Sequence, residues 1–304
     1  MNTAAERRRA AIVMAILALV WGYSWIIAKI GLSLAGPFTF AALRTACGVI
    51  ALGAFLLFVK RGRLSRRPPR GAVLVGLIQT GAFLMLNTWA LSGSEPGKTS
   101  ILTFTMPFWV LLFAWPALSE KVAGLQWIAI VSAIAGLVLI MEPWLMHAAV
   151  LSKVAAVMAG MAWAIGVVLT KRLQRHAPVD MFDFTFWQML FGLVPMVIVM
   201  VIVPEPFPQF TPLLVTTVLL SGVVATAGGW LMWQYVLNRL PAGTTSLASL
   251  AVPVVATLSS AIQLGERLRS AELIGAVLIA VALGLVSWQA VRSHTRDDPS
   301  MAQE

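Results

Sequence analysis

The sequence predicts an all-α polytopic membrane protein with ten transmembrane helices in two inverted five-helix repeats. Three observations carry that class. Of 304 residues, 59% are hydrophobic and 11% charged, against about 45–50% apolar and about 25% charged in soluble domains. Apolar runs of spanning length follow one another from residue 10 almost to residue 290. The two halves of the chain also resemble each other. The first two observations exclude a water-soluble enzyme and a soluble domain on a single anchor. The net charge of +10 would suggest nucleic acid in a soluble domain. Here it reads as cytoplasmic loops held against anionic lipid, and nucleic-acid binding is not expected. The single cysteine, Cys47, permits no internal disulfide.

A hydrocarbon core about 30 Å thick needs about 20 helical residues to cross it. Runs of that length lie at 10–30, 37–59, 71–92, 97–118, 122–142, 152–170, 180–202, 212–237, 242–264 and 270–290. A barrel would show alternating strands of about 10 residues instead. The first run is too long for a signal-peptide core and lacks a small-residue cleavage pattern, so it is read as a retained helix. Cations between the spans set direction. Arg7, Arg8 and Arg9 precede span one, and Lys60, Arg61, Arg63, Arg66, Arg67 and Arg70 fill the second loop. Lys171, Arg172 and Arg175 follow span six. With Lys121, Arg239, Arg292 and Arg296 they make sixteen on one side, against five on the other: Lys29, Lys98, Lys153, Arg267 and Arg269. Both termini are therefore expected in the cytoplasm. The tail 293–304 is short and polar, and disorder is expected there.

Shifting the sequence against itself separates a first repeat at 1–147 from a second at 150–292. At an offset of 142, Trp21 and Lys29 fall on Trp163 and Lys171. At an offset of 146, Gly76, Thr80, Gly97, Thr99, Ser100, Pro107 and Glu120 fall on Gly222, Thr226, Gly243, Thr245, Ser246, Pro253 and Glu266. Five spans per half is an odd number, so the second half enters the membrane from the opposite face. Inverted repeats of this kind imply transport, with substrate near the midplane where the repeats meet.

The segment Trp21-Gly-Tyr-Ser-Trp-Ile-Ile-Ala-Lys29, followed by Pro37 and Ala-Leu-Arg44, resembles the opening of an EamA domain. The stretches Pro107 to Leu137 and Pro253 to Leu285, with Ser-Glu120-Lys and Gly-Glu266-Arg between their last two helices, resemble its close. The resemblance covers nearly the whole chain, twice over, and places it in the drug/metabolite transporter superfamily. The Trp-rich, ten-helix form looks most like the YddG-type exporters of aromatic and other neutral amino acids. The resemblance implies a bacterial-type inner (plasma) membrane transporter of a small-molecule substrate, a monomer or weak homodimer in the lipid bilayer, without a cofactor. The alternatives are a broad drug/metabolite efflux carrier and, in another class, a membrane enzyme or lipid-handling scaffold.

Intramembrane polar residues are the candidates for touching substrate, because leaving one in lipid is costly. Ser100 and Thr103 share a face of span four, and their mates Ser246 and Ser249 repeat the spacing in span nine. They form hydroxyl ledges of a central cavity, or they bond to their own carbonyls and permit close packing. Among the amides, Gln79 is deepest, with Asn87, Gln188 and Gln234 beside it in the argument; interhelical bonding is the other reading of each. Trp89, Trp115, Trp127, Trp144 and Trp288 suit an interfacial belt. Trp21, Trp163 and Trp230 lie well inside their spans and suit a cavity wall, as do Tyr23 and Phe83, with helix packing as the alternative. Pro107 and Pro253 interrupt matching spans, as hinges or static kinks. Gly228 and Gly229 form a hinge or a close crossing. Arg44, the one clear intramembrane charge, either snorkels outward or bonds carbonyl ends, and the resemblance favours a structural or gating role for it.

What is missing also constrains the reading. No Asp or Glu falls in the middle of a span, and His147, His176 and His294 fall in loops or the tail. A proton relay normally uses such groups, so neutral or zwitterionic cargo and facilitated movement are expected. The sequence offers no metal cluster, no nucleophile-and-base pair and no phosphate-binding glycine loop, and catalysis is not expected.

Overall fold

The structure, a computed structural model, describes residues 4–59, 65, 67–118, 124–141, 149–176, 180–239, 249 and 251–296. Every regular element among them is helical: α1 (Ala4–Leu32), α2 (Pro37–Val59), α3 (Ala72–Ser92), α4 (Pro96–Leu118), α5 (Leu125–Met141), α6 (Ala149–His176), α7 (Met181–Ile202), α8 (Pro212–Arg239), α9 (Ala251–Leu264) and α10 (Ser270–Arg296). Seven of them, α1 to α4 and α6 to α8, are long and apolar enough to cross a membrane. The other three expected spans contain shorter apolar stretches, Trp127–Leu139, Ala251–Leu264 and Leu273–Ala282. The start of span nine, with Ser246, lies outside the described residues. Helix α10 continues to Arg296, so the first four residues of the expected tail, His294 included, are helical.

Helix ends follow local chemistry. Pro96 and Pro212 open α4 and α8, where a missing N–H costs nothing. Asp180 caps α7 by accepting from the N–H groups of Phe182 at 2.9 Å and Asp183 at 3.2 Å. Two acids cap helices at long range. The Glu205 carboxylate accepts from Phe38 and Thr39 N–H at 2.9 and 2.8 Å, and that of Glu266 from Gly97 and Lys98 N–H at 2.8 and 2.9 Å. At C-terminal ends the complementary charge appears. Lys29 Nζ donates to the carbonyls of Leu91, in the last turn of α3, and Ser94 just beyond it, at 2.9 and 2.6 Å. Its repeat mate Lys171 donates to the Leu237 carbonyl of α8 at 2.5 Å, and Arg175 Nη1 donates to the Leu118 carbonyl that ends α4 at 3.0 Å. The charges between spans therefore tie particular helix ends together as well as setting direction.

The repeat is visible in three dimensions as two interlocked crossings. Helix α3 widens into a π-helix over Gly76–Ala82, and α8 does so over Leu220–Gly228. Helix α2 of the first half crosses the π segment of α8, and α7 of the second half crosses that of α3. Both crossings bring backbones together at glycine. A Cβ on Gly222 would stand 2.6 Å from the Arg44 carbonyl, and one on Gly76 would stand 2.5 Å from the Gln188 carbonyl. Gly48 and Gly192 occupy the facing positions: a Cβ on Gly48 would lie 2.9 Å from the Gly222 carbonyl, and one on Gly192 2.8 Å from that of Gly76. Small residues let helix axes approach where lipid supplies no hydrophobic drive to hold them.

Helix α4 is broken between Thr103 and Met106. Pro107 has no N–H for the Thr103 carbonyl, and the N–H of Phe108 closes on Thr105 at 3.0 Å instead. Helices α5 and α10 pack mainly on each other, where a Cβ on Gly136 would meet the Gly275 carbonyl at 2.6 Å. Their outer faces expose Ile128, Val131, Ile274 and Val277, as lipid-facing helices do.

Candidate functional site

The cavity lies where α1, α2, α3, α4, α6 and α8 converge. Residues from both halves line it, with Trp21, Trp163, Trp230, Phe83 and Met106 supplying apolar surface. Its polar lining is Ser24, Arg44, Asn87 and Thr103.

The aromatic wall is built around Trp163. Its ring stands edge-to-face to Trp21 at 5.4 Å and 88°, to Trp230 at 5.1 Å and 62°, and to Phe83 at 4.8 Å and 61°. Trp233 backs the group, 5.3 Å from Trp163 and 5.8 Å from Trp21. These separations are those at which the positive edge of one ring meets the negative face of the next. Trp21 is fixed further by its Nε1–H, which donates to the Ala225 carbonyl in the π segment of α8 at 2.9 Å. The indole N–H groups of Trp163 and Trp233 are buried without a hydrogen-bond partner among the described residues.

The structure divides the sequence candidates into groups. Trp21, Trp163, Trp230, Phe83 and Thr103 line the cavity. Thr103 Oγ1 donates to Asn87 Oδ1 at 3.2 Å, joining two of the polar groups on the wall. Gln79, Gln188 and Gln234 do not line it. They form a buried chain in which Gln188 Nε2 donates to Gln79 Oε1 at 3.2 Å and Thr80 Oγ1 at 3.3 Å, while Gln234 Nε2 donates to Gln188 Oε1 at 3.4 Å. Interhelical bonding is therefore what these amides do here, and the deep position of Gln79 reflects packing against Gly166. Ser100 is also off the wall, its hydroxyl donating to the Gly97 carbonyl at 2.7 Å. Ser249 is fully buried and absent from the wall.

Tyr23 points away, 43% exposed, and its hydroxyl donates to Gln263 Oε1 at 3.3 Å. Its neighbour Trp25 takes a place on the wall instead. Pro107 follows a real break in α4, whereas Pro253 sits in the first turn of the described part of α9. Gly229 is a close crossing, since a Cβ there would overlap the Trp21 indole nitrogen. Gly228 is less confined, its nearest neighbour being the Val223 carbonyl at 3.4 Å.

Arg44 differs most from expectation. It neither snorkels nor reaches a carbonyl. It is 7% exposed, lies on the cavity wall, and donates from Nε at 3.3 Å and Nη2 at 3.1 Å to Thr226 Oγ1. The sequence places Arg44 in the membrane without showing what it faces. Its facing direction depends on a partner 182 residues away, and no local signal carries that.

Comparison with known proteins agrees with this architecture. The EamA-like transporter family matches twice, over residues 8–142 and 151–288. The transporter YoaV of Bacillus subtilis is 27% identical over 87% of this chain and 92% of its own length. A probable amino-acid metabolite efflux pump of Escherichia coli is 27% identical over 91% of this chain and 94% of its own. Among solved structures, one crystal structure with 18% identity shares the fold at a TM-score of 0.68, across 93% of this chain and 99% of that one. With both halves matched in this way, the chain belongs to the EamA-like transporter family.

Proposed function

We propose that this protein exports small neutral or zwitterionic metabolites, aromatic and other neutral amino acids among them, across a bacterial-type inner membrane with both termini in the cytoplasm. The observation that carries the reading is the tryptophan-walled cavity closed by helices of both halves. The edge-to-face indoles of its wall suit an aromatic or branched apolar side chain. The name of the Escherichia coli relative, an amino-acid metabolite efflux pump, supports the same class of cargo.

Alternating access is the mechanism we assign. Residues 1–147 and 150–292 act as inverted repeats that exchange conformations, so that the cavity opens to one face at a time. The π segment of α8, through Ala225, and the break in α4 border the cavity, and both π segments and the break supply helices with weakened ladders. Trp21 and Ala225 tie the two halves at the wall, and that contact remakes in each exchange. Movement runs down the substrate gradient through a monomer or weak homodimer.

Counterflow in proteoliposomes tests the reading. Vesicles loaded with unlabelled phenylalanine are expected to take up labelled phenylalanine, leucine or tryptophan faster than empty vesicles. No acceleration for any amino acid would remove amino acids as the cargo. Equal competition by unrelated dyes and organic cations would point to a broad efflux carrier instead.

A further inference from the structure

We propose that Arg44 anchors the carboxylate of the transported molecule, which makes the cargo an amino acid or similar zwitterion whose apolar body rests on the tryptophan wall. This deepens the export reading above and rests on it. A guanidinium offers five N–H groups in a planar fork. Thr226 Oγ1 accepts from Nε and Nη2, which occupies the side edge. The Thr226 proton is committed to the Ser221 carbonyl at 2.7 Å, so its lone pairs are what face Arg44. The end-on fork, Nη1 with the remaining N–H of Nη2, meets no acceptor among the described residues. No carboxylate of those residues pairs with Arg44, and its companions on the polar wall, Ser24, Asn87 and Thr103, are neutral. A buried cation without a counter-ion is unfavourable, and the end-on fork matches the two oxygens of a carboxylate.

The second half supplies a control within the same molecule. In the α7–α3 crossing, Gln188 stands where Arg44 stands in the α2–α8 crossing, and it donates to Thr80 as Arg44 donates to Thr226. The same glycine pair flanks each. An amide therefore reaches the threonine of this crossing without a charge, and the crossing does not itself require a cation. The charge is present only in the copy that faces the cavity.

The experiment uses the full chain in nanodiscs, read by tryptophan fluorescence and by proteoliposome counterflow. Three probes are compared: L-phenylalanine, 3-phenylpropionate, which lacks the amine, and phenylalaninamide, which lacks the carboxylate. The wild-type protein is expected to bind both acids and to bind phenylalaninamide about tenfold more weakly or worse. Arg44→Gln, the residue the other crossing already tolerates, is expected to weaken phenylalanine binding about tenfold or more, while phenylalaninamide changes by less than about twofold. Phenylalaninamide binding wild type as tightly as phenylalanine overturns the proposal, and so does undiminished phenylalanine affinity in Arg44→Gln. Failure of either acid to bind wild type also overturns it. Should Arg44→Gln not fold, the probe series on wild type decides alone. Carboxylate-dependent binding without counterflow removes the export reading and leaves the anchor. Counterflow that is indifferent to the carboxylate does the reverse.

Discussion

The α2–α8 and α7–α3 crossings are one design used twice, and they differ in the long polar side chain that reaches the threonine, Arg44 in one and Gln188 in the other. In both, glycine faces glycine, a π-helix widens one partner, and a threonine hydroxyl in that π segment accepts from a long side chain on the other. The second copy closes on itself: Gln188 is bonded to Gln79, Thr80 and Gln234. The first copy stays open, because Arg44 keeps donors beyond those that Thr226 accepts and turns them to the cavity. The shared parts therefore belong to assembly, and the differing part is the proposed contact with cargo.

The largest effect should come from attacking what the copies share. Gly222→Val and Gly76→Val each drive a side chain into a backbone carbonyl at 2.6 and 2.5 Å respectively, and carbonyls within helices cannot step aside. Both variants are expected to lose most folded, monodisperse protein in size-exclusion chromatography. Tolerance of one and not the other would break the equivalence of the crossings.

A smaller effect should separate the wall from the amide chain. Trp163→Ala removes the central ring of the aromatic group, and each aromatic contact is worth about 0.5–1.5 kcal/mol beyond its area, a factor of about 2–10 in KM. Gln79→Ala alters interhelical bonds worth about 0.6 kcal/mol each and is expected to lower the melting temperature while leaving KM near wild type. A raised KM for Gln79→Ala would return that amide to the site.

The smallest effect should distinguish the two threonines. Thr80→Val leaves Gln188 bonded to Gln79 and should cost about one interhelical hydrogen bond, read as a small drop in melting temperature. Thr226→Val removes the hydroxyl that orients Arg44, and it should add a KM increase of about threefold for carboxylate probes, equivalent to about 0.6 kcal/mol. Equal KM values for the two variants would argue that Arg44 needs no orientation.

Much of the architecture was legible along the chain, and particular residues show why. The pairs Gly76 and Gly222, and Thr80 and Thr226, stood out at one offset because they occupy equivalent π segments. The pairing of Arg44 with Gln188 was not legible, because the residue types differ and their separation falls between the two offsets that the other pairs follow. Gln79 misled because depth along a span does not tell direction around it. A helix apolar on nearly every side presents no polar face to read, and a π segment shifts the angular register besides. Tyr23 differs for the same reason: it lies about 200° around the helix from Trp25, on nearly the opposite face.

The sequence by itself determined that the chain crosses a membrane repeatedly as helices, which chemistry marks the starts and ends of those helices, and that it does so twice over. Those properties follow from backbone hydrogen bonding in lipid, from proline and acidic residues at helix starts, and from cations at helix ends, all of which act within a few residues. Only the tertiary structure decided which polar groups satisfy one another and which face the cavity. Arg44 meets Thr226, Gln188 meets Thr80 and Trp21 meets Ala225 across separations of 182, 108 and 204 residues. Such pairings arise when the halves interlock, and no local propensity encodes them.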